Sequence, residues 1–227
     1  MVSKVIIALD FKNKEETMRF LKYFKEPIFV KVGMELFYSE GKNIIEEIKA
    51  LNHHIFLDLK LHDIPNTVAS ALQVLKPLAI DIINVHCAGG YQMMKAAQEV
   101  FKDTDTKVIG VSQLTSTSST MLHDELLIKE SMIDTIISYA LNAQRAGLAG
   151  IVCSPLEAQQ VHLACGLDFL CICPGIRYQS NGDDQVRVTT PSMAAQLTCD
   201  YIVVGRPITK ATDRVGMYQK IKEEFEG

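Results

Sequence analysis

Short apolar runs rich in valine and isoleucine alternate with longer amphipathic runs from one end of the chain to the other. This alternation limits the possible folds more than any other feature. The short runs read as strands at 5–9, 28–32, 54–59, 82–86, 107–111, 150–153, 169–173 and 201–204. Helical spacing of apolar residues marks 14–24, 43–51, 66–76, 91–101, 134–146 and 155–164, and a last helix at 217–225 closes the chain. In 134–146, for example, Ile136, Ile137, Ala140 and Leu141 share one helical face, and Gly147 follows where a helix end often turns left-handed.

Strands joined in this way by helical crossovers run parallel. About eight such units point to an α/β fold, a (β/α)8 TIM barrel, rather than an open doubly wound sheet. The 227 residues suit one barrel domain spanning 1–227.

Composition narrows the partners. A net charge of −4 opposes general nucleic-acid binding, which needs a basic surface, but leaves room for a small phosphorylated ligand held by a few local cations. The apolar run near the N-terminus is stopped by Asp10, and no later run approaches a membrane span, so a cytoplasmic protein without membrane contact is expected. Cys87, Cys153, Cys165, Cys171, Cys173 and Cys199 then read as small apolar residues, and the Cys171-x-Cys173 pair lacks zinc spacing.

Polar residues gather where the strands end. Asp10 ends the first strand, Lys31 lies near the end of the second, and Asp58 and Lys60 end the third. His86, Ser154, Arg177, Gly205 and Arg206 follow at or just beyond later strand ends. The C-terminal strand ends are the face on which barrel enzymes build active sites. Asp58 and Lys60, two apart, are expected on one face, separated by roughly 6–7 Å of backbone that the lysine arm can close. Asp63 falls three residues later. With Lys31, these residues can form an alternating network of two carboxylates and two ammonium groups. Each close pair attracts by about 4 kcal/mol at an effective dielectric near 20, before desolvation. Both lysines should therefore stay protonated, which suits Lys60 to giving up a proton and not to Schiff-base chemistry. A structural ion-pair plug, or a divalent metal on Asp58 and Asp63, would use some of the same residues, although the lysines oppose a cation.

Phosphate binding is the second expectation, because barrels often hold phosphate with the loops after strands seven and eight. Those loops supply Arg177, Gly205 and Arg206, and the polar stretch 178–190, a candidate lid, adds Gln185 as a neutral donor. A second loop, 113–120, is rich in hydroxyl side chains.

Together these residues resemble the orotidine 5′-phosphate decarboxylases of bacterial type. The matching blocks are ALD at 8–10, KVGMELF at 31–37, DLKLHDIPNTV at 58–68, QLTS at 113–116, PGIR at 174–177, DDQVRVTTP at 183–191 and VVGRPIT at 203–209. The resemblance implies conversion of orotidine 5′-phosphate to UMP in pyrimidine biosynthesis, without metal or cofactor, by a homodimer with shared active sites. It implies that Asp10 and Lys31 bind ribose, that Asp58 lies beside the scissile carboxylate and that Lys60 protonates the pyrimidine carbon. It further implies that Asp63 and Thr67 reach into the partner's site, that Thr115 meets the pyrimidine through its backbone, and that Arg177, Gln185, Gly205 and Arg206 hold the phosphate. The alternatives are a magnesium-dependent sugar-phosphate decarboxylase or aldolase of the same barrel group, whose pattern has a metal-binding glutamate at the Lys31 position, and a non-catalytic nucleotide-binding protein.

Overall fold

A computed structural model describes residues 3–178 and 189–227. Eight parallel strands close into a barrel in sequence order, each hydrogen-bonded to the next and the last to the first. They are β1 (Val5–Ala8), β2 (Phe29–Gly33), β3 (His54–Leu61), β4 (Ile82–His86), β5 (Lys107–Val111), β6 (Gly150–Val152), β7 (Leu170–Cys173) and β8 (Tyr201–Val204). The helices that return the chain are α1 (Lys14–Leu21), α2 (Met34–Glu40), α3 (Lys42–Ala50), α4 (Pro65–Leu75), α5 (Gly90–Phe101), α6 (Met132–Arg145), α7 (Ala158–Cys165), α8 (Pro191–Gln196), α9 (Arg206–Thr209) and α10 (Arg214–Glu226). The sequence predicts all eight strands. Of the helices it misses α2, α8 and α9, which are too short for helical periodicity to register.

Alternation along the strands separates two cores. Ile6, Phe29, Phe56, Ile82, Ile109, Ile172 and Val203 point inward and fill the barrel. Their strand neighbours, such as Ile7, Val30, Ile55, Leu57, Ile83 and Ile151, point outward and pack under the helices. At β6 the sheet tolerates no side chain on residue 150, since a Cβ there would sit 2.2 Å from the Leu170 carbonyl oxygen.

Inward parity decides what reaches the barrel mouth. Lys31 continues the inward row of Phe29 on β2, and Asp58 continues that of Phe56 on β3. The ladder between β3 and β4 is irregular just there. Leu57 pairs with Ile83 but Leu61 pairs with Val85, so β3 carries a bulge at 58–60. Lys60 lies in this bulge with φ 52°, in the left-handed region. The strand thus runs on to Leu61, beyond the predicted end at 59, and Lys60 leaves regular strand geometry to point into the cavity.

Candidate active site

A cavity of about 750 Å³ opens at the C-terminal ends of the strands. Asp10, Lys31, Asp58, Lys60, Thr115, Arg177, Gly205 and Arg206 all line it. Its floor is apolar, made by Ala8, Phe56, Val111, Val152 and Val203. Charges facing such a floor act in a poorer dielectric than they would in water.

The charged residues form one chain. Lys31 Nζ lies 3.2 Å from Asp10 Oδ1 and 3.5 Å from Asp58 Oδ2. Lys60 Nζ lies 2.7 Å from Asp58 Oδ1. Asp58 is buried, and burial alone would push its carboxyl up. The Lys31 and Lys60 ammonium groups, with hydrogen bonds from Lys60 and Asn84, outweigh that and hold it below the ordinary carboxylate value. Burial likewise disfavours the Lys31 ammonium, but Asp58 and Asp10 reverse the balance and raise it above the ordinary lysine value. Both partners are therefore charged at neutral pH. Within one chain the second carboxylate of the network is Asp10, where the sequence reading had Asp63.

Asp63 and Thr67 sit elsewhere. Both are exposed and neither lines the cavity. The Asp63 carboxylate accepts the Ile64 N–H at 2.6 Å, just before Pro65 opens α4. Ile64, between them, is 66% exposed. Gln185 and nearly all of the 178–190 loop lie outside the described residues. The base of that loop is tied, with Arg177 N–H donating to the Thr189 carbonyl and Thr189 N–H to that of Gly175.

Two other polar strand ends serve different purposes. Ser154 is buried, caps the turn at Pro155–Glu157 through its hydroxyl, and gives its N–H to Glu157. His86 accepts the Ala88 N–H on Nδ1, and His62 stacks on it with ring centroids 5.3 Å apart. Burial, with His62 and Lys60 nearby, lowers the His86 pKa and favours the neutral ring.

Sequence reasoning passed over Asn84, which is fully buried in β4 and bonded to both Asp58 and Lys60. The available signal was an asparagine inside the apolar run IINVH. Gln113, Lys12 and Lys210 were also passed over as cavity residues.

Comparison with known proteins places this geometry. The family model described as "Orotidine 5'-phosphate decarboxylase / HUMPS family" matches residues 3–221. The orotidine 5′-phosphate decarboxylase of Staphylococcus saprophyticus is 53% identical, covering 98% of both chains, and that of Staphylococcus aureus strain Newman is 51% identical, covering 97% of both. Among solved structures, orotidine 5′-phosphate decarboxylase from Lactobacillus acidophilus superposes with a TM-score of 0.90 at 39% identity, covering 99% of this chain and all of that one. An uncharacterized conserved protein from Geobacillus kaustophilus superposes at 0.87 with 43% identity, covering 97% of this chain and 99% of the other.

Proposed function

The chain belongs to the orotidine 5′-phosphate decarboxylase/HUMPS family, and on that premise we propose that it converts orotidine 5′-phosphate to UMP and carbon dioxide in pyrimidine nucleotide synthesis, using neither metal nor organic cofactor. The observation that carries this reading is the Asp10–Lys31–Asp58–Lys60 chain of charges on a cavity that also takes in Arg177 and Arg206.

The chemistry follows from those groups. The bond between the pyrimidine ring carbon and its carboxylate breaks, carbon dioxide leaves, and the electron pair stays on the carbon. Lys60 Nζ stabilises that developing anion and gives it a proton, and solvent restores the ammonium. The donor is already charged and positioned before the bond breaks, the arrangement that lowers a charge-separating barrier most. Asp58 lies where the substrate carboxylate enters and repels it more before carbon dioxide leaves than afterwards. Asp10 and Lys31 hold the ribose hydroxyls, and the Thr115 backbone meets the pyrimidine. Arg177, Gly205 and Arg206, joined by Gln185, hold the 5′-phosphate, whose binding energy is remote from the reacting carbon and can be spent on positioning it.

Asp63 and Thr67 complete the site of a second copy, which makes the working enzyme a homodimer. Support comes from their exposure away from their own cavity, and from the exposed apolar side chains of Met34, Ile64 and Leu114 at the same barrel end. The reaction belongs in the cytoplasm, consistent with thiols rather than disulfides at all six cysteines.

The test is an assay with orotidine 5′-phosphate in EDTA, following loss of orotidylate absorbance and formation of UMP. Full turnover is expected. Activity lost to EDTA and restored by magnesium would replace this reading with the metal-dependent one, against which the Lys31 ammonium between Asp10 and Asp58 speaks. Tight UMP binding without turnover would indicate a non-catalytic binding protein.

A further inference from the structure

The bulge in β3 leaves the Lys60 backbone N–H without a ladder partner on β4. Asn84 fills that gap, its side-chain Oδ1 accepting the Lys60 N–H at 2.8 Å. Its Nδ2 donates to Asp58 Oδ1 at 2.6 Å, on the same oxygen that takes Lys60 Nζ. The amide therefore has one sensible orientation, because a flip would set N–H against N–H and oxygen against carboxylate. An asparagine is a poor strand residue, and burying one is costly unless its hydrogen bonds are met. Here Asn84 is fully buried on the inward face of β4, and both ends of its amide are used.

We infer that Asn84 is a positioning residue for the decarboxylation: it holds Lys60 in its left-handed bulge and fixes the Asp58 carboxylate plane between the two lysines. It is not on the cavity wall, so it acts only through Asp58 and Lys60. With Oδ1 held by Asn84 and Lys60, Oδ2 is left facing Lys31. The lysine arm starts from a backbone whose N–H Asn84 fastens to the neighbouring strand. This role rests on the reading of the cavity as a decarboxylase site.

Two variants separate positioning from packing. Asn84→Leu keeps the branching at Cγ with somewhat more bulk and removes both hydrogen bonds. Its kcat for orotidine 5′-phosphate is expected to fall about a hundredfold, the scale of a misplaced catalytic group, while KM and UMP affinity stay within about threefold. Asn84→Asp keeps the shape and the acceptor but sets a second carboxylate against Asp58. The titratable groups around it are Asp58 and Lys60 on β3, Lys31 beyond them on β2, and His86 on its own strand. Two carboxylates in contact raise the pKa of one of them. When protonated, the new carboxyl can donate to Asp58 as the amide did. The variant's kcat should therefore recover as pH falls from 8 to 6, a limb absent from the wild type.

Wild-type kcat in both variants, or a pH profile for Asn84→Asp parallel to the wild type, overturns the assignment. Should Asn84→Leu lose UMP binding or its folding transition, the Asn84→Asp profile decides alone. No turnover by the unaltered enzyme instead overturns the decarboxylase reading, and this role falls with it.

Discussion

Lys60 combines two requirements that oppose each other. Its ammonium must face the cavity, and to do so its backbone adopts φ 52°, which costs an L-residue about 1–2 kcal/mol. Glycine at that position would escape the strain. Lys60→Ala and Lys60→Gly remove the same charge and, on the proposed mechanism, the proton donor, so both should abolish decarboxylation and leave UMP binding measurable. Their stabilities should nevertheless differ in an unusual direction. Alanine normally stabilises relative to glycine by about 0.4–1 kcal/mol through the unfolded chain. Here the left-handed backbone should reverse the order, with the glycine variant more stable by about 0.5–1 kcal/mol in urea unfolding. An alanine variant at least as stable as the glycine one would mean that the bulge carries no strain, and near-normal turnover in either would remove Lys60 from the chemistry. Asp58 gives a second residue-scale expectation. Its pKa is held below the ordinary 3.8, so its charged form adds stability above that value, and the contribution disappears as pH falls through the depressed one. Wild type should exceed Asp58→Asn by about 3 kcal/mol at neutral pH, because the substitution leaves the largely enclosed Lys31 with Asp10 as its one carboxylate partner of the two. The gap should be flat from pH 5 to 8 and close below pH 4. A gap unchanged down to pH 2 would mean that Asp58 is not held by its lysines.

At the scale of single elements, the two ends of the barrel use carboxylates differently. At the strand starts, Asp81 and Asp200 each accept a backbone N–H from the preceding strand, that of Ile55 at 2.8 Å and that of Cys171 at 2.7 Å. Each also meets a histidine, with His54 at 2.7 Å and His162 at 3.1 Å. His162, Cys171 and Asp200 bring their donor atoms within 4.8 Å of one another, the spacing of a possible metal group. Yet the Asp200 oxygen already accepts from the strand and from His162, whose other nitrogen meets Thr198, which favours a structural role. Asp200→Ala should thus destabilise by about 1–3 kcal/mol, the penalty of stranding buried donors, and leave kcat/KM unchanged. A fall in kcat/KM without loss of stability would contradict that division between the ends. The same contrast explains what the sequence could and could not reveal. Strands of apolar residues ending in Asp, Lys or Arg announce both barrel and active face, because each charge interrupts a run that burial otherwise keeps apolar. Asn84 interrupts its run in the same way. Its importance depends, however, on a bulge in the neighbouring strand, and a bulge leaves no periodic trace when 57, 59 and 61 still alternate outward. The short helices α2, α8 and α9 were hidden for the simpler reason that they complete too few turns.

For the whole molecule, DLKLHDIPNTV divides its candidate site residues between two places. Asp58 and Lys60 line the chain's own cavity, while Asp63 and Thr67 stand exposed on either side of the start of α4, with Ile64 exposed between them. On the proposed dimer reading, Ile64 and the polar side chains that frame it make a contact with a second copy. In a two-fold dimer that contact is made twice, each chain lending its α4 end to the other. Complementation tests the arrangement. On the proposed reading, Lys60→Ala lacks the proton donor in its own cavity, and Asp63→Ala lacks the carboxylate it lends away. Each variant alone should be nearly inactive. Mixed after dissociation and reassociation, random pairing makes about half the dimers hybrid, and each hybrid holds one cavity with both residues intact. Activity should therefore return to about a quarter of the wild-type value, and it should depend on subunit exchange. If Asp63 served its own chain's cavity, no hybrid could contain a complete site, because every cavity would still lack one residue. A mixture that stays inactive while exchange is demonstrated would return Asp63 to its own chain. Recovery to about a quarter would place the boundary between the two subunits inside the active site.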